Sequence, residues 1–287
     1  MKKNLSIAMI LVLAVCVAAF GRGASEGGAS PGASSSGAAA PVELVVFAAA
    51  SMTNTLQDIA VLYKDVAPNV SLVYTFDSSG TLKTQIENFA YCDIFVSAGQ
   101  LQVDQLDIAA NASVNTARLD FVLQGTRVDL LENQIALCVP SGIPAGIQSF
   151  DDLAARLRNP GPNFLFAMGN SDVPVGQYTQ RIFSYYGLDE RALATSITYG
   201  SNVREVTTQI SAGSVSCGVV YQTDAFSTGL TVVDRATSEM LLNQRVIYPA
   251  AVMKNSRNVD ATRAFLAYLQ TPAAMAVFER VGFAPVR

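Results

Sequence analysis

Histidine and tryptophan are both absent from the 287 residues. Without histidine there can be no Ser-His-Asp or Cys-His nucleophile pair and no histidine-ligated metal site, so an enzyme would need a rarer arrangement. Charge is also scarce: Asp, Glu, Lys and Arg make up 15% of the chain, with a net charge of −4. Nucleic-acid binding needs clustered Lys and Arg against phosphates, and this chain has no such cluster. The four cysteines, Cys16, Cys92, Cys138 and Cys217, show no C-x-x-C spacing, which argues against a zinc site and against a disulfide-dense scaffold. Cys92, Cys138 and Cys217 lie in or beside apolar runs and read as buried small hydrophobes. Half of the chain is hydrophobic, and its length exceeds what one core usually needs, so two domains are expected.

The amino end reads as an export segment. Lys2-Lys3 precede an apolar stretch from Leu5 to Phe20 broken only by Ser6, short for a membrane span. Residues 1–20 are therefore expected to be a signal peptide. Leu13-Ala14-Val15-Cys16 resembles a lipobox with Val15 in the place of a small residue, and Ala19-Phe20-Gly21 offers a competing cleavage site. Residues 21–41 are almost wholly Gly, Ala and Ser with two prolines, a composition that behaves as a flexible linker. A tether of this kind suits a chain anchored to a membrane at Cys16.

From Val42 onward the pattern alternates between strand and helix. Leu44 to Phe47 form a continuous apolar run of the kind buried in a parallel sheet, and Leu56, Ile59, Ala60 and Tyr63 follow at helical spacing. Strand turns into helix at Ser51, behind three alanines that let the backbone pass close to something. Val70, Leu72, Tyr74 and Phe76 alternate as a strand, and Asp77-Ser78-Ser79-Gly80-Thr81 leads into a helix with Leu82, Ile86 and Phe89. Taken singly, each serine is an ordinary helix cap. Two neighbouring strands that end in serine-tipped helix starts would bring hydroxyls and free N–H groups to one edge of a parallel sheet, an arrangement suited to an anion.

Asp93–Ala98 and Gln134–Pro140 read as further strands, and Ser149-Phe150-Asp151-Asp152 as the start of a capped helix. A second set follows: a strand over Phe164–Met168, a loop through Gly176, a helix from Gln177 to Tyr186, a helix with Val203, Val206 and Ile210, and a buried strand from Cys217 to Tyr221. Asp260 is expected to cap a helix through Leu269, and Thr271-Pro272 to open another that stops at Gly282. The alternation predicts an α/β fold with right-handed crossovers.

Several segments in this order resemble the periplasmic molybdate-binding proteins of molybdate ABC transporters. They are Val46-Phe47-Ala48-Ala49-Ala50-Ser51, Phe76 to Ile86, Val173-Pro174-Val175-Gly176-Gln177-Tyr178, Asn202-Val203-Arg204, Gly218-Val219-Val220-Tyr221 with Thr223-Asp224-Ala225, and Tyr248-Pro249-Ala250-Ala251-Val252. The resemblance covers about Val42 to Val286. It implies the two-lobed type II periplasmic binding protein fold, each lobe a sheet flanked by helices, with two crossings between lobes. The first lobe is expected at 42–138 plus 238–287 and the second at 139–237.

The resemblance also implies an oxyanion held by the Ser51 and Ser79 hydroxyls, the amides of Val175 and Val203, and Tyr221. Val175 and Asn170-Ser171 depart from the family's usual Ala and Asp-Pro. Asp77 stands where Ala or Gly is usual and is expected to face solvent, since a carboxylate against a bound dianion is costly. Arg204 is not a direct ligand in the family's pattern. The implied function is capture of molybdate or tungstate by a monomer outside the cytoplasmic membrane, periplasmic or lipid-anchored, and delivery to an ABC permease and its ATPase. No metal cation and no organic cofactor are implied. Sulfate is the alternative ligand, while a nucleophilic enzyme is disfavoured because neither serine turn offers G-x-S-x-G or S-x-x-K. A ligand-sensing transcription regulator would need a basic DNA-binding segment, and the export segment argues against it.

Overall fold

The computed structural model describes residues 40–142 and 146–286. The expected signal peptide, Cys16 and all but the last two residues of the linker lie outside this range. The strands are β1 (Val42–Ala49), β2 (Val70–Asp77), β3 (Ile94–Val96), β4 (Val128–Asn133), β5 (Ile135–Val139), β6 (Phe166–Gly169), β7 (Ile197–Gly200), β8 (Cys217–Tyr221), β9 (Thr231–Arg235), β10 (Val246–Val252) and β11 (Ala284–Pro285). The helices are α1 (Thr53–Val66), α2 (Ser79–Glu87), α3 (Gln100–Asp104), α4 (Phe150–Arg158), α5 (Pro174–Tyr186), α6 (Val203–Ser211), α7 (Gln222–Thr228), α8 (Val259–Leu269) and α9 (Pro272–Arg280).

Among the described residues these strands form two mixed sheets, ordered β11-β4-β10-β3-β1-β2 and β7-β6-β8-β5-β9. In the first, β1 runs parallel to β2 and β3, and β10 is antiparallel to β3 and β4. The chain crosses between sheets twice, once at Gln134 and once between β9 and β10. The first sheet is covered on both faces. Leu44, Val46 and Ala48 pack in one apolar cluster with Leu56, Ile59 and Phe265, whereas Phe47 and Phe95 pack in another with Leu82 and Ile86. Burial on both sides is why Leu44–Phe47 shows no polar alternation. Strand β2 lies at the sheet edge, and its residues accordingly alternate between half-buried and exposed along Val70–Val73.

The structure corrects several expectations. Strand β5, expected in the first lobe, pairs with β8 and β9 in the second sheet. The crossing at Gln134 has no Gly or Pro to mark it, because β4 runs into β5 after a single residue. Phe89 lies beyond the end of α2 with φ +62° and is 81% exposed, so it belongs to the turn and not to the helix. Helix α5 begins at Pro174, three residues earlier than the expected Gln177, since proline is well placed at a first helical position. Helix α8 starts after Asn258, with Asp260 in its first turn and not at its cap.

Candidate anion-binding site

The carboxyl ends of β1 and β2 lie side by side, and each opens into a helix. After β1 a short 3-10 turn, Ala50–Met52, precedes α1. Ser51 sits inside that turn and caps nothing, contrary to the ordinary-cap reading. Its Oγ lies 3.0 Å from the hydroxyl of Tyr248 on β10, a residue with no exposed surface. The register of β10 against β4 shifts at this point, Tyr248 lying opposite Leu131 and Pro249 opposite Asp129.

After β2, Ser78 is the cap of α2, its Oγ accepting from the Thr81 N–H at 3.1 Å. Ser79 is thereby released from capping. It is 1% exposed, and its Oγ accepts a hydrogen bond from the Ala98 N–H at 2.9 Å. The N–H groups of Ser79 and Gly80, in the first turn of α2, have no acceptor within their own helix.

The second sheet supplies two more helix starts. In α5 the first residue is Pro174, which has no N–H, and Gln177 is the first to bond back, to the Val173 carbonyl at 3.1 Å. The amides of Val175 and Gly176 are therefore without an intrahelical partner. Gly176 allows the preceding loop to tuck in, since a Cβ there would stand 2.2 Å from the Asn170 carbonyl oxygen. In α6, Asn202 is the cap, accepting from the Glu205 N–H at 3.2 Å, and Val203 follows as the first helical residue with a free N–H.

These helix starts meet around one small, tightly closed cavity of about 10 Å³, lined by Ala49, Ala50, Ser51, Asp77, Ser78, Ser79, Ala98, Val173, Pro174, Val203 and Tyr221. Of the five residues expected at the site, Ser51, Ser79, Val203 and Tyr221 line it. Val175 is fully buried and does not; Val173 and Pro174 stand in its place on the wall. The Tyr221 hydroxyl donates to the Ala98 carbonyl at a long 3.4 Å. Burial holds the Tyr221 phenol well above its usual pKa, as it does Tyr248, so both stay protonated at neutral pH. The residues lining the cavity include no lysine; beside the Asp77 carboxylate they bring hydroxyls and the free N–H groups of helix starts.

Asp77 does not simply face solvent as expected. Its Oδ1 accepts from the Ser78 N–H at 2.7 Å and from Asn202 Nδ2, across the cleft, at 3.4 Å. Arg204 crosses the cleft as well: its Nε donates to the Ala50 carbonyl at 3.0 Å and its Nη2 to Asn54 Oδ1 at 2.8 Å. Asn202 and Arg204 thus join the start of α6 to both serine turns. Gly80 presses against the other side, where an added Cβ would stand 2.0 Å from the Asp172 carbonyl oxygen. Behind the site Asp224 is buried, with Oδ2 unpartnered, and burial raises its pKa to about 7 against the opposing pull of Arg204.

Sequence reasoning assigned no role to Tyr248, Asn133, Asn202 or Arg204. Tyr248 opens the segment Tyr248-Pro249-Ala250-Ala251-Val252, and the signal available is a polar tip within the apolar run Val246–Val252. The three described cysteines are buried and free, and burial pushes the Cys138 and Cys217 thiols up to about 12, as expected of inert packing groups. Among the described residues no group of His, Cys, Asp and Glu could hold a metal ion, and no helix is long and apolar enough to cross a membrane.

Two sheets linked by two crossings, with helix starts converging on a cavity between them, have the architecture of a solute-binding protein. The chain belongs to the bacterial extracellular solute-binding protein family, whose model matches residues 44–284. It is 32% identical to the molybdate-binding protein ModA of Escherichia coli over 84% of this chain and 88% of that one. It is 31% identical to a putative ABC transporter substrate-binding lipoprotein of Bacillus subtilis over 84% of this chain and 86% of the relative. Among solved structures, the periplasmic molybdate-binding protein of Azotobacter vinelandii shares the fold with a TM-score of 0.69 at 19% identity, covering 85% of this chain and all of that one.

Proposed function

We propose that this protein captures molybdate or tungstate between its two lobes and delivers it, as an extracytoplasmic monomer, to the permease of an ABC importer. The observation that carries this reading is the convergence of the Ser51 and Ser79 turns with the start of α6 and Tyr221 on one cavity. Apart from the Asp77 carboxylate, the polar groups on the wall are hydroxyls and free N–H groups, a set that suits a fully deprotonated tetrahedral dianion. The similarity to molybdate-binding relatives supports the same ligand. The ligand contacts proposed are the hydroxyls of Ser51, Ser79 and Tyr221 and the amides of Val175 and Val203.

The two sheets with their helices act as the lobes, and a ligand touching both stabilises the closed arrangement through its differential affinity for it. Membrane anchoring through Cys16 would keep the protein near its importer. Sulfate is the second reading, because the same donors recognise charge and proton state and leave only size to separate the anions. Calorimetric titration with molybdate, tungstate, sulfate and phosphate in parallel tests the proposal. One site per chain for molybdate or tungstate is expected, and tight sulfate or phosphate binding with no response to molybdate would overturn it.

A further inference from the structure

The two serines at the cavity are held by different partners, and for Ser79 the direction of the hydrogen bond is fixed. The Ala98 N–H can only donate, so the Ser79 oxygen accepts and its own hydrogen is left for the cavity. For Ser51 the partner is the Tyr248 hydroxyl, and two hydroxyls at 3.0 Å can pair in either sense. If Ser51 donated to Tyr248, it would present a lone pair to a bound anion and repel it.

Asn133, the last residue of β4 at the first crossing, removes this ambiguity. Its Oδ1 accepts from the Gln134 N–H at 2.8 Å, which fixes the amide so that Nδ2 faces the other way. Nδ2 lies 2.9 Å from Thr223 Oγ1 and 3.2 Å from the Tyr248 hydroxyl oxygen, and an amide NH₂ can only donate. The Tyr248 oxygen is therefore an acceptor toward Asn133. Tyr248 has no exposed surface, and its one hydrogen has the Ser51 oxygen in reach. A buried phenol hydrogen left without an acceptor is costly, so Tyr248 donates to Ser51.

We infer that Asn133 and Tyr248 are positioning residues that fix the polarity of the site: a one-way chain of hydrogen bonds, started by the Gln134 N–H at the crossing, forces the Ser51 hydroxyl to donate into the cavity. Ser79 reaches the same state through a single backbone amide. With both hydroxyls committed as donors, the site discriminates by proton state. An oxyanion that carries a proton where it meets Ser51, such as monohydrogen phosphate, finds a hydrogen opposite its own. A fully deprotonated dianion finds none.

This inference rests on the oxyanion reading above, and the experiment separates the two. Molybdate, sulfate and phosphate are titrated into the wild type, Tyr248→Phe, Asn133→Leu, Ser51→Ala, and each of the first two variants combined with Ser51→Ala, with thermal melting as the folding control. In Tyr248→Phe the serine hydroxyl is free to turn. The dianion that binds wild type should lose about threefold to tenfold in affinity, phosphate should gain relative to it, and the loss should nearly vanish in the Ser51→Ala background. Asn133→Leu should behave the same way and replaces Tyr248→Phe if that variant does not fold. Equal losses with and without Ser51, or no change in the phosphate ratio, would overturn the chain. Wild type binding sulfate but not molybdate would overturn the ligand assignment alone, with the chain then tested on sulfate. Wild type binding none of the three would overturn both.

Discussion

The two serine turns look alike in sequence and are built differently. The Ser79 turn is held mainly by backbone: Ala98 N–H secures the hydroxyl, Ser78 caps the helix, and Gly80 admits the Asp172 carbonyl from the opposite lobe. The Ser51 turn is held from far along the chain, by Tyr248 at its hydroxyl and by Arg204 at the Ala50 carbonyl. One turn is fixed by backbone and steric fit, the other by long side chains from β10 and α6. A hydroxyl of the same chemical kind can thus be preorganised in two ways, and the two should fail differently.

The largest effect is expected where closure depends on a missing Cβ. Gly80→Ala drives a methyl group into the Asp172 carbonyl, which backbone must yield to accommodate, and overpacking of this kind should weaken ligand binding by about a hundredfold. Small-angle scattering should show the variant failing to compact on adding ligand. Next, Ser79→Ala and Ser51→Ala each remove a hydroxyl donated to a charged oxygen and should each cost roughly tenfold to a hundredfold in affinity by calorimetry. Both should also lower thermal stability, by about 1–3 kcal/mol each: Ser79→Ala strands the buried Ala98 N–H, and Ser51→Ala strands the hydrogen of the fully buried Tyr248.

Arg204→Ala removes the two hydrogen bonds that tie α6 to the first turn and should weaken binding by about tenfold, mainly through faster release seen in stopped-flow fluorescence. Asp224 should show itself as a pH effect on stability. Its folded pKa of about 7 lies above the ordinary 3.8, so the folded state holds a proton that the unfolded state has lost, and stability should decline from about pH 4 to pH 7. Asp224→Asn should flatten that slope in chemical denaturation. Val175→Ala is expected to change affinity least, because only a main-chain N–H is in question and the side chain does not line the cavity.

The sequence was legible where one residue type has one local use. The apolar run into three alanines marks β1 and its turn, Thr271-Pro272 opens α9, and Cys217–Tyr221 is a buried strand. Strands β4 and β10 are not legible as strands, and the Gln134 crossing is not legible because the polar stretch Glu132-Asn133-Gln134 carries no Gly or Pro to mark a change of sheet. The serines were legible as a pair, but their partners were not. Tyr248 lies 197 positions from Ser51 and Arg204 lies 154 from Ala50, separations that no local spacing encodes. Asp77 was misplaced because its partner Asn202 belongs to the other lobe, 125 positions away.

The central claim is that both serine turns meet one oxyanion. A crystal of the protein soaked in tungstate, with the anion located by its anomalous signal, tests this most directly. The account predicts one peak in the cavity between the lobes, with oxygens within hydrogen-bonding distance of both Ser51 Oγ and Ser79 Oγ. A peak that touches only one of these serines, or lies outside the cavity, would contradict it.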